Sequence, residues 1–542
     1  MTTTDEPLLP SAPSEQVRAS FYDRWSTRLA ADPQRQRRIA WLAPLVITLV
    51  AGILRFWNLG HPDALVFDET YYVKDAWSQW VLGYPATWPT EGANERFVAG
   101  ETGIFTDEGS FVVHPPLGKL LIGAGMALFG AESSFGWRFA TAVFGTALVL
   151  LVYLVARSLT RSVVFASVAG VLMAVDGLAI VMSRVALLDV FLAFFTLLTF
   201  WFVILDHRRH RRRLEAAVAS RTVEGEPPAW GPVLWNRPWL IAAGLAVGAA
   251  TAVKWSGLYV MAAVGIYVVV SDALARRTAG VGYWPTDAAF RQGPVSFLLF
   301  VPVACVVYLS SWTGWLVTSG GWDRHAIDAT PATGFWSWVP LALQNLWVYH
   351  RDMYAFHVGL TSPHSYASPA WQWLLLVRPT SMYYHQDANG EAGCGVVNGC
   401  VQNVYSMPNP LIWWAASAAI VYLLYRFVRT RDWRYALVLT GFAATYVPWL
   451  LYPERTIFQF YTIAMLPFMV IALTFALRDI ASPRRRRESR EEDAHRRRSG
   501  QWVVVVFLGF VLLISAFWYP ILTASPVPYD FWRLHNWMQT WV

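Results

Sequence analysis

The chain has 542 residues, of which 55% are hydrophobic, 15% aromatic and only 15% charged. One soluble core cannot bury this much apolar surface, so the composition excludes an ordinary soluble protein and indicates a membrane as the solvent. The formal net charge is +7, but the basic residues form short clusters between apolar runs, which indicates membrane topology and argues against nucleic-acid binding.

Eleven apolar stretches approach the ~20 residues that a helix needs to cross a bilayer. They lie at 39–58, 138–157, 162–182, 187–206, 238–254, 257–274, 294–316, 410–427, 434–452, 456–477 and 501–522. A further run at 117–130 is short and lies between polar loops, so we expect a re-entrant or interfacial helix there. The sequence predicts an all-α polytopic membrane protein with about eleven transmembrane helices.

The distribution of basic residues predicts the orientation. If the N-terminus is cytoplasmic, the inner segments carry 31 of the 43 Lys and Arg residues, as the positive-inside rule requires. No cleavable signal peptide is recognisable, so we expect the first span to be retained. The predicted organisation is a disordered cytoplasmic N-terminus at 1–38, a transmembrane domain at 39–522, outer loops at 58–137 and 317–409, a charged cytoplasmic loop at 479–500 and an outer C-terminal tail at 523–542.

Two adjacent carboxylates, Asp68 and Glu69, follow the first span and precede an amphipathic stretch that reads as an interfacial helix. Carboxylates at a membrane surface can act as a base and a ligand, because low dielectric and a like-charged neighbour keep a proton acceptor competent near neutral pH. Helix capping by Asp68, or an ion pair with Lys74, is the structural alternative.

The string from His114 to Lys119 contains Pro115 and Pro116 directly before the apolar run at 117–130. Proline suits the first turn of a helix, so this string predicts a rigid entry with His114 at its mouth. A turn carrying an interfacial histidine is the alternative interpretation.

Four cations begin or end predicted spans at the outer boundary, where the positive-inside rule does not explain them. They are Arg138, Arg184, Lys254 and Arg455. Together they could bind one anionic group such as a lipid phosphate. Snorkelling, or ion pairs with Asp189 and Glu454, is the alternative for each of them.

Two cysteines, Cys394 and Cys400, flank five residues of a polar outer loop. We expect a small disulfide there if the loop faces an oxidising compartment. No outer cluster has convincing spacing for metal ligands, so a divalent metal beside the acidic pair stays an open possibility.

Six short motifs follow one another along the chain. They are Phe67-Asp68-Glu69, His114-Pro115-Pro116-Leu117-Gly118-Lys119, Ser183-Arg184 with Leu187-Leu188-Asp189, Lys254-Trp255-Ser256-Gly257-Leu258, Ser368-Pro369-Ala370-Trp371-Gln372-Trp373 with Arg378-Pro379, and Asn409-Pro410. Their combination, ordered over about residues 40 to 520, resembles the protein O-mannosyltransferase family and looks closest to its actinobacterial members.

The resemblance implies a C-type glycosyltransferase (GT-C) fold. It also implies an inverting transfer of mannose from polyprenyl phosphate mannose to Ser or Thr hydroxyls of secreted proteins, on the non-cytoplasmic face of the plasma membrane. The implied partners are this lipid-linked donor, Ser/Thr-rich translocating proteins, membrane lipid and the translocation machinery.

The resemblance further implies roles for individual residues. Asp68 matches the family's catalytic acidic position and would be the general base, with Glu69 supporting it or orienting the acceptor. Arg138 matches an arginine that would stabilise charge on the donor phosphate. Further candidates for the phosphate are Arg184, Lys254 and Arg455, and candidates for active-site support are His114, Pro115, Pro116, Lys119 and Asp189.

The chain departs from the family pattern in two places. Eukaryotic members carry a β-trefoil insertion in the second long outer loop, and the corresponding loop here is too short for one, so acceptor selection must differ. Around Arg455 the wider family often shows a Tyr-His-Tyr string that this chain lacks. A histidine role at that site therefore cannot be transferred.

Three other functions are compatible with the composition. A related lipid-linked sugar transferase could act on a glycan or glycolipid, since fold alone does not specify the acceptor. A transporter would place ionisable groups near the midplane of its spans. Asp176, inside the third predicted span, is the one feature that supports this alternative. A non-catalytic membrane scaffold would leave the outer cations unconnected with one another.

Overall fold

The computed structural model describes residues 23–24, 27–28, 31–482 and 490–542. Most of the predicted disordered N-terminus lies outside the described residues, as does the arginine-rich part of the predicted charged loop. The first long helix begins at Pro33, six residues before the predicted start of the span, because Asp32 accepts a hydrogen bond from the backbone N–H of Arg35 and thereby caps the helix.

The described residues form sixteen main helices. These are α1 (Pro33–Phe56), α2 (Glu69–Leu82), α3 (Ala93–Val98), α4 (Leu117–Phe129), α5 (Ser134–Thr160), α6 (Val163–Val175), α7 (Gly177–Met182), α8 (Asp189–Ala219), α9 (Pro238–Val253), α10 (Ser256–Thr278), α11 (Gly293–Ser311), α12 (Leu341–Gly359), α13 (Pro410–Thr430), α14 (Trp433–Tyr446), α15 (Leu466–Ala481) and α16 (Arg490–Leu522).

Shorter elements connect them. They comprise Trp284–Thr286, a π-helical turn at Asp287–Gln292, Thr313–Val317, Ala370–Trp373, Tyr529–Arg533, and 3₁₀ turns at Gly334–Trp336, Val447–Leu451, Gln459–Ala464 and Gln539–Trp541.

Every predicted span coincides with one of these helices or with a consecutive pair. In the described part of the chain, seven helices have both the length and the apolar composition to cross a membrane. The other four predicted spans, at 162–182, 238–254, 434–452 and 456–477, consist of shorter or interrupted helices. The count of eleven crossings therefore stays a prediction.

The predicted third span is interrupted at Asp176, between α6 and α7. The buried carboxylate of Asp176 accepts hydrogen bonds from the backbone N–H groups of Ala179 and Asn409, at 3.1 and 3.0 Å. It therefore caps α7 and fixes the start of α13. This capping explains a buried carboxylate at that depth without any transport role.

The apolar run at 117–130 forms α4, which packs against α2 and α5. Its thirteen residues extend about 20 Å, less than the thickness of a hydrocarbon core. A side chain in place of Gly125 would lie 2.6 Å from the carbonyl oxygen of Gly136, so this glycine permits the close contact with α5. The length and packing fit an interfacial or re-entrant helix.

The second long outer loop contains a small antiparallel sheet that the sequence did not predict. Its strands are β1 (Thr380–Asp387), β2 (Cys400–Ser406) and β3 (Val527–Pro528), in the order β1-β2-β3. The third strand comes from the predicted C-terminal tail, which folds back onto the loop. A disulfide joins Cys394 to Cys400 at the start of β2.

Two predicted loop regions are more ordered than expected. The described parts of the predicted charged loop, 479–481 and 490–500, belong to α15 and α16. The outer loop at 317–409 contains α12 as well as the sheet.

Candidate active site

A cavity of about 310 Å³ lies where the ends of several helices meet. Its polar and charged lining includes His114, Asp189, Lys254, His357, Arg455 and Tyr461. These side chains come from five separate segments of the chain. The structure therefore brings together two of the four predicted phosphate-binding cations, together with two of the predicted supporting residues.

Glu69 and Arg138 form an ion pair that is fully buried. The Arg138 Nε and one terminal nitrogen donate to the two carboxylate oxygens of Glu69, each at 2.8 Å. The remaining N–H groups of Arg138 donate to the backbone carbonyls of Leu59, Pro62 and Ala64. Arg138 thus has no N–H group left for a phosphate, and this geometry does not support the predicted role as a donor ligand.

The Glu69 carboxylate also accepts two backbone hydrogen bonds. The N–H of Val66 donates to Oε2 at 2.8 Å, and the N–H of Ala186 donates to Oε1 at 2.7 Å. Glu69 therefore ties its own loop to α5 and to the segment that precedes α8. Because it is completely buried, it does not face the cavity, and the predicted direct part in catalysis does not fit this position.

Asp68 differs sharply from its neighbour Glu69. It occupies the N-cap position of α2, but its side chain makes no capping bond, and no described residue donates a hydrogen bond to its carboxylate. Burial raises the pKa of Asp68 to about 6, while Lys254 lowers it and Asp189 raises it. A carboxylate with free oxygen atoms and a pKa close to neutrality has the properties of a general base.

The backbone before Asp68 adopts an uncommon conformation. Phe67 has a φ of 52°, in the left-handed region that non-glycine residues seldom occupy. Its ring packs edge-on against His364, Phe458 and Phe460, with centroids 5.4 to 5.7 Å away. This aromatic contact, together with the ion pair of Glu69, holds Asp68 in place from both sides.

Lys254 lies in the break between α9 and α10, where the chain is extended. Its Nζ donates to both oxygens of Asp189, at 2.9 and 2.8 Å, and lies 5.0 Å from the ring centroid of Tyr461. Lys254 therefore forms the ion pair with Asp189 that was the alternative to phosphate binding. The pair still lines the cavity, where it can contribute charge and hydrogen bonds.

Arg455 extends its guanidinium into the same cavity. One terminal nitrogen donates to Nδ1 of His357 at 3.0 Å, and the Nε group is buried without a partner among the described residues. The Nε2 atom of His357 lies 2.6 Å from the carbonyl oxygen of Val113, so it must carry the proton. Burial and the charge of Arg455 lower the pKa of His357 to about 4 and keep its ring neutral.

The string from His114 to Lys119 surrounds the cavity on one side. The His114 ring stacks on His357, with centroids 5.1 Å apart, and burial lowers its pKa well below the usual value. Lys119 points away from the cavity and donates to the carbonyl of His114 at 3.1 Å. Pro116 is the N-cap residue of α4 and Pro115 precedes it. These residues support the cavity wall, and His114 alone among them lines it.

Arg184 lies outside the cavity. Its terminal nitrogens donate to the backbone carbonyls of Arg55, Trp57 and Asn58, at 2.6 to 3.1 Å. It therefore anchors the end of α1, and this position does not support the predicted role at the donor phosphate.

Sequence reasoning missed two polar residues of the cavity, His357 and Tyr461. His357 lies on α12, about 100 residues before its partner Arg455, within a region predicted as loop. Tyr461 lies in a 3₁₀ turn, where no helical periodicity marks it. The chain lacks a histidine beside Arg455 in sequence, and the fold supplies one from α12. A histidine on an amphipathic helix carries no local signal that could have identified it.

Among the described residues, no group of three or more His, Cys, Asp or Glu side chains has the geometry to hold a metal ion.

Two family models match the chain. The model for dolichyl-phosphate-mannose-protein mannosyltransferase matches residues 131–222, and that for the C-terminal four-span region of protein O-mannosyltransferase matches residues 342–541. Similar proteins named polyprenol-phosphate-mannose--protein mannosyltransferase occur in Mycolicibacterium smegmatis (34% identity, 93% of both chains) and Mycobacterium tuberculosis (35% identity, 92% of both chains).

A solved structure shows the same fold. The protein O-mannosyltransferase Pmt1-Pmt2 complex of S. cerevisiae, bound to the sugar donor, aligns with a TM-score of 0.66 at 16% identity, over 93% of this chain and 92% of the other. The predicted GT-C fold is thereby confirmed.

The ion pair between Glu69 and Arg138 should be needed for stability. We expect Arg138→Leu to lower the free energy of unfolding by about 3–5 kcal/mol, because it leaves a buried carboxylate uncompensated. Thermal unfolding of the purified protein in detergent measures this loss.

The exposed pair of Arg96 and Glu101 in the same outer loop offers a matched control, since Arg96→Ala should change stability by less than about 1 kcal/mol. A variant Arg138→Leu with wild-type thermal stability but no donor binding would instead support the role of Arg138 at the phosphate.

Proposed function

Because the chain belongs to the protein O-mannosyltransferase family, we propose that it transfers mannose from polyprenyl phosphate mannose to a Ser or Thr hydroxyl of a protein. Relatives that match over more than nine-tenths of the chain carry this activity in their names. The observation that carries the proposal in this chain is Asp68, a carboxylate without a side-chain hydrogen bond among the described residues, which interacts electrostatically with Lys254 and Asp189 of the cavity wall.

We assign Asp68 as the general base. As the acceptor oxygen attacks the anomeric carbon of mannose, its proton passes to the Asp68 carboxylate, and the bond from that carbon to the phosphate oxygen breaks. Attack from the face opposite the leaving phosphate inverts the configuration. Glu69 and Arg138 act as positioning residues, because they hold the loop without contacting the cavity.

We assign Arg455 as the principal ligand of the donor phosphate, with Lys254 contributing. Negative charge increases on the phosphate as the sugar bond breaks, and a fixed cation in a cavity of low dielectric stabilises that charge. The unpartnered Nε of Arg455 supports this assignment, since a buried donor without an acceptor favours an incoming anion. His357 fixes the guanidinium by accepting one of its other N–H groups.

We place this chemistry on the non-cytoplasmic face of the plasma membrane. On α5, Arg138 lies near the first turn and Arg157 near the last; on α8, Asp189 is the first residue and the arginine cluster at 208–213 lies towards the far end. The cavity and the basic clusters are thus at opposite ends of the same helices, as the positive-inside rule requires for an outer site. Nascent chains crossing the membrane would be the natural acceptors there.

Replacing the proposed base tests the reaction. We expect Asp68→Asn to lower mannose transfer to a Ser/Thr peptide by about two to four orders of magnitude, because the amide cannot accept the proton. Transfer from synthetic polyprenyl phosphate mannose by the purified protein measures it. Asp63→Asn, at an exposed position in the same loop, is the control and should retain activity. Transfer by the wild type to a glycan or glycolipid but to no peptide would contradict a protein acceptor.

The pH profile should report Asp68. Its pKa is raised to about 6, so the carboxylate is charged above this pH and protonated below it. Since only the charged form accepts a proton, kcat/KM should fall about tenfold per pH unit below pH 6 and level off above it. His114 and His357, whose pKa values are lowered, should not contribute in this range. A profile flat down to pH 5 would exclude Asp68 as the base.

Arg455 should matter for the donor more than for the acceptor. We expect Arg455→Gln to weaken donor binding about tenfold or more, because the guanidinium charge facing the phosphate is lost. Binding of a non-transferable donor analogue to the purified protein measures this effect. Arg351→Gln is the control, because Arg351 is exposed on α12 and its salt bridge among the described residues is with Asp352. Equal donor affinity in both variants would contradict the assignment of Arg455 as a ligand of the donor phosphate.

A further inference from the structure

A second cavity, of about 280 Å³, lies on one face of the three-stranded sheet. We call it the sheet pocket. Its walls include Tyr366, Ser381, Tyr384, Asn403, Trp532 and Asn536. None of these residues belongs to the catalytic cavity, and none was part of any motif in the sequence.

A β-bulge builds this pocket. Side chains alternate between the faces of a strand, so Ser381 and Tyr384, three residues apart, would normally point to opposite sides. The register shifts between Ser381 and Tyr383, which brings both residues to the same face. Their cross-strand partners Tyr405 and Asn403 line the pocket as well.

Two polar atoms in the pocket lack partners. Asn403 is 2% exposed; its Nδ2 donates to the hydroxyl of Ser381 at 2.9 Å, whereas its Oδ1 is enclosed with no hydrogen bond from any described residue. The Nδ2 of Asn536 is likewise enclosed and unpaired within the described chain. Buried polar groups normally find partners, so one free acceptor and one free donor in the same pocket point to a missing ligand.

The free atoms and the walls fit a peptide. A backbone peptide unit presents one N–H and one C=O, which would pair with the Asn403 Oδ1 and the Asn536 Nδ2 respectively. A sugar ring presents several hydroxyls, each a donor and an acceptor, and would leave most of them unpaired here. The rings of Tyr384 and Trp532, with centroids 5.4 Å apart, provide an apolar surface for a neighbouring side chain.

The sheet pocket is connected to the catalytic loop by a short piece of chain. The ring of His364 packs against Phe67, the residue before Asp68, at 5.7 Å between centroids. Tyr366 follows two residues later, no more than about 7 Å further along the chain, and forms part of the pocket wall. A polypeptide with one residue at Asp68 could therefore reach the sheet pocket with a nearby segment.

We propose that the sheet pocket binds a peptide unit of the acceptor polypeptide, to one side of the Ser or Thr that receives mannose. The identity of this peptide as an acceptor rests on the proposed function.

Peptide binding and transfer test the proposal separately. We expect Asn403→Ala and Asn536→Ala each to raise the Kd of a fluorescent Thr-containing peptide of about twelve residues roughly tenfold, measured on the full-length protein without donor. Such a peptide spans about 40 Å when extended. In the transfer assay, the KM for this peptide should rise by the same factor relative to that for a blocked tripeptide, with kcat unchanged.

Asn398→Ala is the matched control, because Asn398 lies in the β1–β2 hairpin and donates to Asp530 outside the pocket. Its Kd and KM should equal those of the wild type. A second variant, Trp532→Ala, removes an aromatic wall without touching the amides and should weaken binding of the long peptide in the same way.

The outcomes separate this proposal from the proposed function. Wild-type peptide affinity in both asparagine variants overturns the peptide site, even if mannose transfer proceeds. Selective loss of long-peptide binding supports the site, even if no transfer is detected and the proposed function falls. If kcat falls and KM rises by the same factors for the long and the short peptide, the asparagines have a purely structural role and the site is overturned. Displacement of the peptide by methyl mannoside in the wild type, but not in the variants, identifies a sugar site instead.

Discussion

The arrangement of this active site depends on one buried ion pair. Glu69 and Arg138 neutralise each other where neither can reach water, and between them they bond to the backbone at five positions in two parts of the chain, residues 59–66 and Ala186. A buried pair of this kind is costly to form unless its hydrogen bonds are complete, and here they are. The ion pair fixes the loop after the first span. Of the two adjacent carboxylates, only that of Asp68 then remains available to accept a proton.

Environment, not residue type, separates the roles in this site. Asp68 and Glu69 are neighbours with the same chemistry, yet one is unpaired and the other saturated with hydrogen bonds. The cations divide in the same way. Arg138 and Arg184 donate hydrogen bonds to backbone carbonyls, whereas Lys254 and Arg455 line the cavity. An unpaired carboxylate that interacts electrostatically with the cavity wall, together with the fixed cations of that wall, suits a reaction that takes up a proton and releases a charged phosphate.

Apolar runs were sufficient to predict the helices, because span length is a local property of a sequence. They also drew attention to Asp68, Lys254 and Arg455. Sequence cannot reveal whether a cation donates to backbone carbonyls, as Arg138 and Arg184 do, or lines a cavity. The place of His357 beside Arg455 and the pairing of β3 with β2 depend on contacts between residues about 100 or more positions apart, and no local pattern records such contacts.

The anchoring of the first outer loop has an evolutionary consequence. Arg184 holds residues 55–58 and Arg138 holds the carbonyls that follow, so the connection that leads to Asp68 is immobilised from within the protein. The segment between α12 and the sheet contacts this connection through the ring of His364, which packs against Phe67. Substitutions in the predicted second outer loop, other than at His357 and His364, can therefore accumulate without disturbing the base, and lineages of this enzyme could diversify in what they modify while preserving how they modify it.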